Sequence, residues 1–213
     1  MKKLLILFFL FILSHTVSAQ WSVNAAMGLD FRSAPSFRDY INSNYPSQGN
    51  SLQTFKSAAS FSLEADYKIQ ENFEIGLQYD LLIDSYTTPV GIAGTYEISY
   101  NHHRPSLLAY YVIPGPGYQF KFGGGIGFRY VSLNEKVYSS SNYTASGVGL
   151  LLCAVGNTQL SKNFYALIGL DARYDAPGEV SNGSSKLVNN SIGENLNINS
   201  ISFGIYLGVT YTF

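Results

Sequence analysis

The chain has 213 residues, a formal net charge of −1 and only 13% charged residues. This length fits a single domain. The nearly neutral balance, without an excess of basic residues, argues against a nucleic-acid partner. The single cysteine, Cys153, excludes an internal disulfide, so a secreted form must be stabilised in another way.

The chain begins MKKLLILFFLFILSHTVSAQ, with two lysines, an unbroken apolar run and small side chains before Gln20. This layout predicts a secretory signal peptide, residues 1–19, that is cleaved between Ala19 and Gln20. The apolar run is shorter than the roughly 20 residues that a membrane-spanning helix needs. No cysteine follows it that could carry a lipoprotein anchor. The mature chain is therefore predicted to be one domain, residues 20–213.

The body of the chain alternates apolar and polar side chains with a period of two. In FSLEADYKI, for example, Phe61 and Leu63 alternate with Glu64 and Asp66. Such alternation predicts strands with two different faces, whereas helix signals are weak throughout. About eight strands result from this pattern. Their predicted bounds are 21–31, 55–69, 73–86, 96–113, 118–133, 144–160, 164–174 and 197–213.

The predicted connections alternate in length. The short ones are 70–72, 114–117 and 161–163, and the long polar ones are 32–54, 87–95, 134–143 and 175–196. Short turns at one end and long loops at the other predict an all-β fold, an antiparallel up-and-down transmembrane β-barrel. Lipid offers no hydrogen bonds, so a sheet within it must close on itself. A soluble periplasmic barrel or sandwich is the alternative, which the loop asymmetry disfavours.

Aromatic residues recur where the predicted strands meet the short turns, as expected at a membrane interface. The predicted girdle at this end is Trp21, Tyr67, Phe73, Tyr118, Phe164, Tyr211 and Phe213.

The chain ends in IYLGVTYTF, a strand pattern with apolar side chains at alternate positions. With the topology above, this ending resembles the small eight-stranded outer-membrane barrels of the OmpA/OmpX type. The resemblance implies that the barrel assembly machinery recognises the last strand through Leu207, Val209, Tyr211 and Phe213. It also implies an outer-membrane location in contact with lipid, with long loops extracellular and short turns periplasmic.

The resemblance is specific for a class of fold and not for one function. We expect a non-enzymatic barrel whose long loops have a structural, adhesive or ligand-contact role. The alternatives are an accessory barrel of a secretion machinery, similar to the PorT-like proteins, and a lipid-modifying enzyme. The extracellular ligand or secretion partner is unknown.

Charged side chains occupy the polar face of the predicted strands. The acids Asp30, Glu64, Asp66, Glu74, Asp80, Asp84 and Asp171 face the bases Lys56, Lys68, Lys121, Arg129 and Arg173. An eight-stranded barrel is just wide enough for its own side chains, so we expect ion pairs across the lumen, with Gln78 and Tyr206 filling it further. A selective pore or proton path is the alternative.

Tyr100-Asn101-His102-His103-Arg104 is the stretch closest to a chemical motif. His102 and His103 are adjacent on a strand and so point to opposite faces, which prevents chelation of one metal. Pro105 leaves the phase of the following residues open.

A catalytic interpretation would pair one histidine with Ser99 or Ser106 and an orienting acid, Asp84 or Glu97. The alternative is two rim histidines near lipid headgroups. We favour the latter and expect no catalytic, cofactor-binding or metal-binding residue.

The run GGGIG, residues 123–127, lacks the spacing of a phosphate-binding loop and lies within a strand. It predicts local bending or space for bulky lumen neighbours. Cys153 lies in an apolar strand, where we expect it to act as a small packing residue.

Overall fold

A computed structural model describes residues 20–45, 51–54, 56–90, 94–137 and 139–213. The predicted signal peptide, including Ala19, lies outside the described residues, so the cleavage site stays a prediction. No helix in the described ranges is both long and apolar enough to cross a membrane.

The described chain is almost entirely β-structure. One helix follows the first strand. The strands are β1 Trp21–Ser33, β2 Lys56–Gln70, β3 Phe73–Val90, β4 Gly94–His103, β5 Ser106–Gly115, β6 Tyr118–Lys136, β7 Ser140–Gln159, β8 Phe164–Ala176, β9 Ser181–Asn182, β10 Ser185–Lys186, β11 Val188–Asn189, β12 Glu194–Asn195 and β13 Ser200–Thr212, and the helix is α1 Pro35–Asn44.

The long strands close into a ring. Each long strand pairs antiparallel with its neighbours in chain order, and β4 and β5 together form one strand position between β3 and β6. The ring is closed because β1 pairs with both β2 and β13. Closure satisfies the backbone hydrogen bonds of every long strand without leaving an open edge. The predicted eight-stranded up-and-down barrel is confirmed. The short strands β9 to β12 lie in the connection between β8 and β13.

β4 and β5 behave as one strand interrupted only by Pro105, which has no backbone N–H. The N–H of Arg104 still donates to the carbonyl of Asp80 at 2.8 Å, so pairing with β3 continues up to the proline. The alternation also continues, because His102, Arg104 and Ser106 are all buried. The alternation of inward and outward side chains, which the sequence left open at Pro105, therefore continues unchanged from β4 to β5.

The two faces of the barrel differ as a membrane protein requires. Outward side chains such as Leu77, Val148 and Leu207 are 64%, 68% and 60% exposed, whereas most charged side chains on the barrel strands are buried inside. At the short-turn end, the ring centroids of Trp21 and Tyr67 lie 4.9 Å apart. Those of Phe164 and Tyr211 are also 4.9 Å apart, and those of Tyr211 and Phe213 are 5.0 Å apart. Members of the predicted girdle thus pack together.

The glycine run gives space to lumen side chains. A Cβ on Gly123 would collide with the ring of Tyr110, which is its partner on β5. A Cβ on Gly125 would meet the side chain of Leu108 in the same way. The second interpretation of GGGIG, space for bulky lumen neighbours, is therefore confirmed.

Residues 32–54, predicted as a long polar loop, contain the helix α1, so the prediction of a loop throughout this range was wrong. Pro35 stands in the first turn of α1, where its missing N–H costs nothing. Phe37, Tyr40 and Ile41 are buried, with the i, i+3, i+4 spacing of one helix face. The helix is short and lies between two strands. Its few apolar residues stand among polar ones, so their helical spacing is not evident from the sequence.

The apolar face of α1 packs inside the mouth of the barrel. We call α1 together with residues 178–198 the cap. It packs on the long-loop ends of β3, β4, β6 and β7. The buried cluster comprises Ala34, Phe37, Tyr40, Ile41, Ala58, Leu82, Tyr96, Ile98, Tyr100, Val131, Leu133, Ala145, Val180, Leu187, Leu196 and Ile198. The described residues at the long-loop end thus form a folded core.

Candidate functional site: the filled lumen and its cap

The centre of the lumen is organised around Arg104. One guanidinium nitrogen of Arg104 lies 2.7 Å from Asp30 and 3.6 Å from Asp175, and the other lies 2.5 Å from Asp80. All four side chains are at most 4% exposed. An arginine can serve several carboxylates at once because its planar fork carries five N–H donors.

Two further arginines extend this layer. Arg129 forms an ion pair with Asp175 and donates to the hydroxyl of Ser106 at 3.1 Å. Arg173 lies 2.9 Å from Asp171 and donates to Gln78 at 3.1 Å. These contacts join strands on opposite sides of the barrel, so the layer crosses the whole lumen.

A second polar layer lies closer to the short turns. The Lys121 ammonium lies 2.8 Å from Asp66 and 2.5 Å from Glu74. Glu64 accepts hydrogen bonds from Gln78 at 2.8 Å and from the hydroxyl of Tyr110 at 2.9 Å. A buried apolar cluster fills the space around these groups: Leu108, Tyr110, Val112, Leu151, Val155 and Leu167.

The predicted pairing across the lumen is present in the structure. Lys56, Lys121, Arg129 and Arg173 all contact carboxylates. Lys68 differs, because it is only half-buried and makes no ion pair within the described part of the chain. Lys68 lies two residues before the end of β2.

Sequence reasoning missed three of the buried charges inside the barrel. Arg32 and Asp175 were assigned to the ends of long loops, and Arg104 stood beside the proline that obscured the phase. Each lies two residues beyond an inward residue, namely Asp30, Arg173 and His102, so continued alternation would have identified them.

The two histidines point to opposite faces, as predicted. His103 faces outward, where its Nδ1 lies 2.6 Å from the hydroxyl of Tyr79. His102 is fully buried in the lumen, so its placement at the rim near headgroups was wrong. Neither ring nitrogen of His102 has a hydrogen-bond partner in the described ranges.

The serine–histidine–acid arrangement considered above is not assembled. Ser106 donates to the carbonyl of Arg104 and accepts from Arg129, and neither bond involves a histidine. The side chains of Ser99 and Glu97 point away from the lumen. Asp84 is buried, but its carboxylate lies 2.6 Å from the ammonium of Lys56. Among the described residues there is also no group of three or more potential metal ligands.

The cap is fixed to the barrel by a buried carboxylate. Glu135 of β6 accepts hydrogen bonds from the hydroxyls of Tyr40 at 2.6 Å and Tyr96 at 2.9 Å. Burial, and then the bond to Glu135, raises the pKa of Tyr40 far above its ordinary value, so this hydroxyl stays protonated and donates. Tyr45 stacks on Tyr96 with ring centroids 3.6 Å apart.

The two parts of the cap are joined to each other. Asn44 of α1 donates to the carbonyl of Val188 at 2.9 Å and accepts from the N–H of Asn190 at 3.0 Å. The hydroxyl of Ser36 accepts from the N–H of Asn197 at 3.1 Å. The cap therefore behaves as one folded unit and not as two separate loops.

No family model and no curated protein matches this sequence. Solved structures do match. The neisserial surface protein A has a TM-score of 0.52 at 13% identity, covering 91% of this chain and 97% of that one. Outer membrane protein OprG of Pseudomonas aeruginosa has a TM-score of 0.51 at 14% identity, covering 92% and 96%.

A third match is Ail, the attachment invasion locus protein of Yersinia pestis, in complex with the heparin analogue sucrose octasulfate. Its TM-score is 0.50 at 12% identity, covering 91% of this chain and 99% of that one. At such identities the likeness concerns the fold: this chain has the fold of the small outer-membrane β-barrels.

Proposed function

We propose that this protein is a non-enzymatic, non-conducting outer-membrane barrel that holds its cap at the cell surface as a contact surface. The cap cluster is the observation that carries the proposal. A barrel that only anchored itself in lipid would need no apolar core above its lumen. Here the cluster and the bonds of Glu135 hold α1 and residues 178–198 in one arrangement. A preformed surface binds with a smaller loss of conformational entropy than free loops do.

The side chains on the cap surface favour a binding partner that carries little charge. Its exposed charges are largely paired, with Arg38 2.7 Å from Asp39 and Lys186 2.7 Å from Glu179. In contrast, Ile192 is 61% exposed at the outer turn of the cap. The heparin analogue bound by Ail is a polyanion, which the paired charges of this cap do not favour.

The proposed orientation can be tested with single cysteines in a C153A background. Ser184 lies at an exposed turn of the cap and Lys162 lies in a short turn at the other end. We expect a membrane-impermeant maleimide to label S184C in intact cells and K162C only after the outer membrane is permeabilised. The reverse labelling would contradict the proposed orientation.

A photoreactive residue at position 192 tests the contact role, with position 162 as the matched control. A discrete crosslink from 192 to a surface or matrix component supports the proposal. Crosslinks confined to 162, on envelope secretion proteins, would instead support the accessory secretion barrel. No crosslink from 192 under conditions in which the cells adhere would contradict a contact role for this turn.

A further inference from the structure

A small pocket lies where the cap meets the barrel wall. Its free volume is about 20 Å³. The barrel contributes Arg32, Lys56 and Asp84, the helix contributes its N-cap Ala34 with Phe37 and Arg38, and residues 52–54 complete the lining. Three cationic side chains and one carboxylate therefore line a space with room for about one water-sized particle.

Arg32 is the unusual member of this pocket. Its side chain is buried, at 4% exposure, yet within the described residues it has no carboxylate within 4.0 Å and its Nη1 has no hydrogen-bond partner. The ring of Tyr100 covers one face of the guanidinium, with its centroid 4.6 Å away. No acceptor among the described residues meets the buried Nη1. A buried cation in this condition is costly unless a partner is supplied.

The neighbouring carboxylates are already in contact with other cations. Asp84 lies 2.6 Å from Lys56, and Asp30 lies 2.7 Å from Arg104. Asp84, Asp30 and Asp175 attract Arg32 only over a longer distance. None of them gives Arg32 a direct acceptor among the described residues.

The first turn of α1 adds a second, independent feature that favours an anion. Its N-cap is Ala34, which forms no side-chain capping bond, and its first turn contains no acidic residue. The first N–H groups of a helix have no partner within the helix and carry partial positive charge. Pro35 has no N–H and the N–H of Arg38 donates to the carbonyl of Ala34 at 3.0 Å, so the N–H of Phe37 is the pocket-lining donor that can bind an anion.

We propose that this pocket binds one chloride ion, with the guanidinium of Arg32 and the backbone N–H of Phe37 as its main contacts. The free volume of about 20 Å³ fits a monatomic anion better than a larger one such as phosphate. The bound ion would give Arg32 a direct partner and connect the cap to β1 and β2. Cap stability would then depend on halide concentration.

The first experiment uses bromide as a probe of the folded protein. Crystals of the detergent-solubilised full barrel are grown in sodium bromide, and anomalous scattering is measured at the bromine edge. We expect an anomalous peak in contact with Arg32. A water molecule there, or the same peak in R32Q crystals, would overturn the proposal.

The second experiment measures thermal unfolding of the solubilised protein at matched ionic strength in chloride, gluconate and phosphate. We expect the unfolding midpoint to be about 2–4 °C higher in chloride than in gluconate. The difference should disappear in R32Q and persist in K186Q, which removes a surface cation outside the pocket. Equal midpoints in chloride and gluconate, or a larger increase in phosphate than in chloride, would overturn the assignment.

Discussion

At the scale of single residues, the lumen shows why buried charges come in groups. Arg104 contacts three aspartates, and each of these is buried with it. An arginine placed alone inside a barrel would cost several kcal/mol in lost hydration, whereas shared carboxylates offset that loss. Long side chains in the lumen also need space. Inward glycines provide this space on the adjacent, paired strand.

Replacing Arg104 by leucine should destabilise the barrel strongly. The substitution leaves the carboxylates of Asp30, Asp80 and Asp175 close together without their common cation. We expect a loss of about 3–5 kcal/mol in the free energy of unfolding, measured by urea titration in lipid vesicles. The matched control is K186Q, which removes an exposed surface pair outside the pocket and should cost less than about 1 kcal/mol. A loss in R104L no larger than that in K186Q would show that the central layer is not held by Arg104.

Replacing Gly123 by alanine should also destabilise the protein, because the added Cβ enters the ring of Tyr110. Overpacking of this kind costs about 1–3 kcal/mol. Gly156 is the control, since a Cβ there meets its nearest neighbour, Phe120, at an ordinary 3.4 Å. Urea titration should therefore separate G123A from G156A. Equal stability of the two variants would contradict the role of the glycine run as space for Tyr110.

At the scale of elements, the strands could be predicted from the sequence and the helix could not. Period-two alternation located each barrel strand, because burial on one face and lipid on the other require it. A strand can keep one face buried beyond the membrane, against other parts of the protein. Accordingly, β3 and β6 extend past their predicted ends to Val90 and Lys136. These extensions form the wall on which the cap packs. The cap itself depends on contacts between α1 and residues 178–198, which local patterns do not reveal.

Truncating Ile41 should loosen the cap without unfolding the barrel. Its side chain is fully buried in the cap cluster, so I41A should cost about 2–5 kcal/mol locally. Hydrogen exchange of α1 amides in the solubilised protein should accelerate while that of β1 and β13 stays unchanged. I192A is the matched control, since Ile192 lies on the same cap but is 61% exposed. Comparable acceleration of exchange in I192A would contradict the packing described.

At the scale of the whole molecule, a closed barrel joins two chain ends that are far apart in sequence. β1 pairs with β13 from Ser22 with Thr212 to Ser33 with Ile201. The N–H of Phe213 donates to the carbonyl of Trp21 at 3.0 Å, which completes the ladder at the short-turn end. Pairing of β13 with β1 therefore closes the ring.

Deleting Phe213 should impair insertion more than deleting residues inside the connection 175–196. Leu207, Val209 and Phe213 are exposed outward on the last strand, and Tyr211 packs beside Phe213, so they remain accessible to an assembly partner. The measurement is the folded fraction in outer membranes, seen as heat-modifiable gel mobility. Equal folded fractions for the Phe213 deletion and the wild type would contradict an assembly signal at these positions.

The central claim is that the lumen is filled and its mouth is covered, so that the barrel does not conduct. Ion pairs cross the lumen at two levels, and the cap cluster covers the long-loop end. Conductance of the purified protein in planar bilayers tests this most directly. We expect no steady openings for the wild type, and brief openings at most for R129L, which removes one of the cross-lumen pairs. Steady, porin-sized openings of the wild type, unchanged in R129L, would contradict the account.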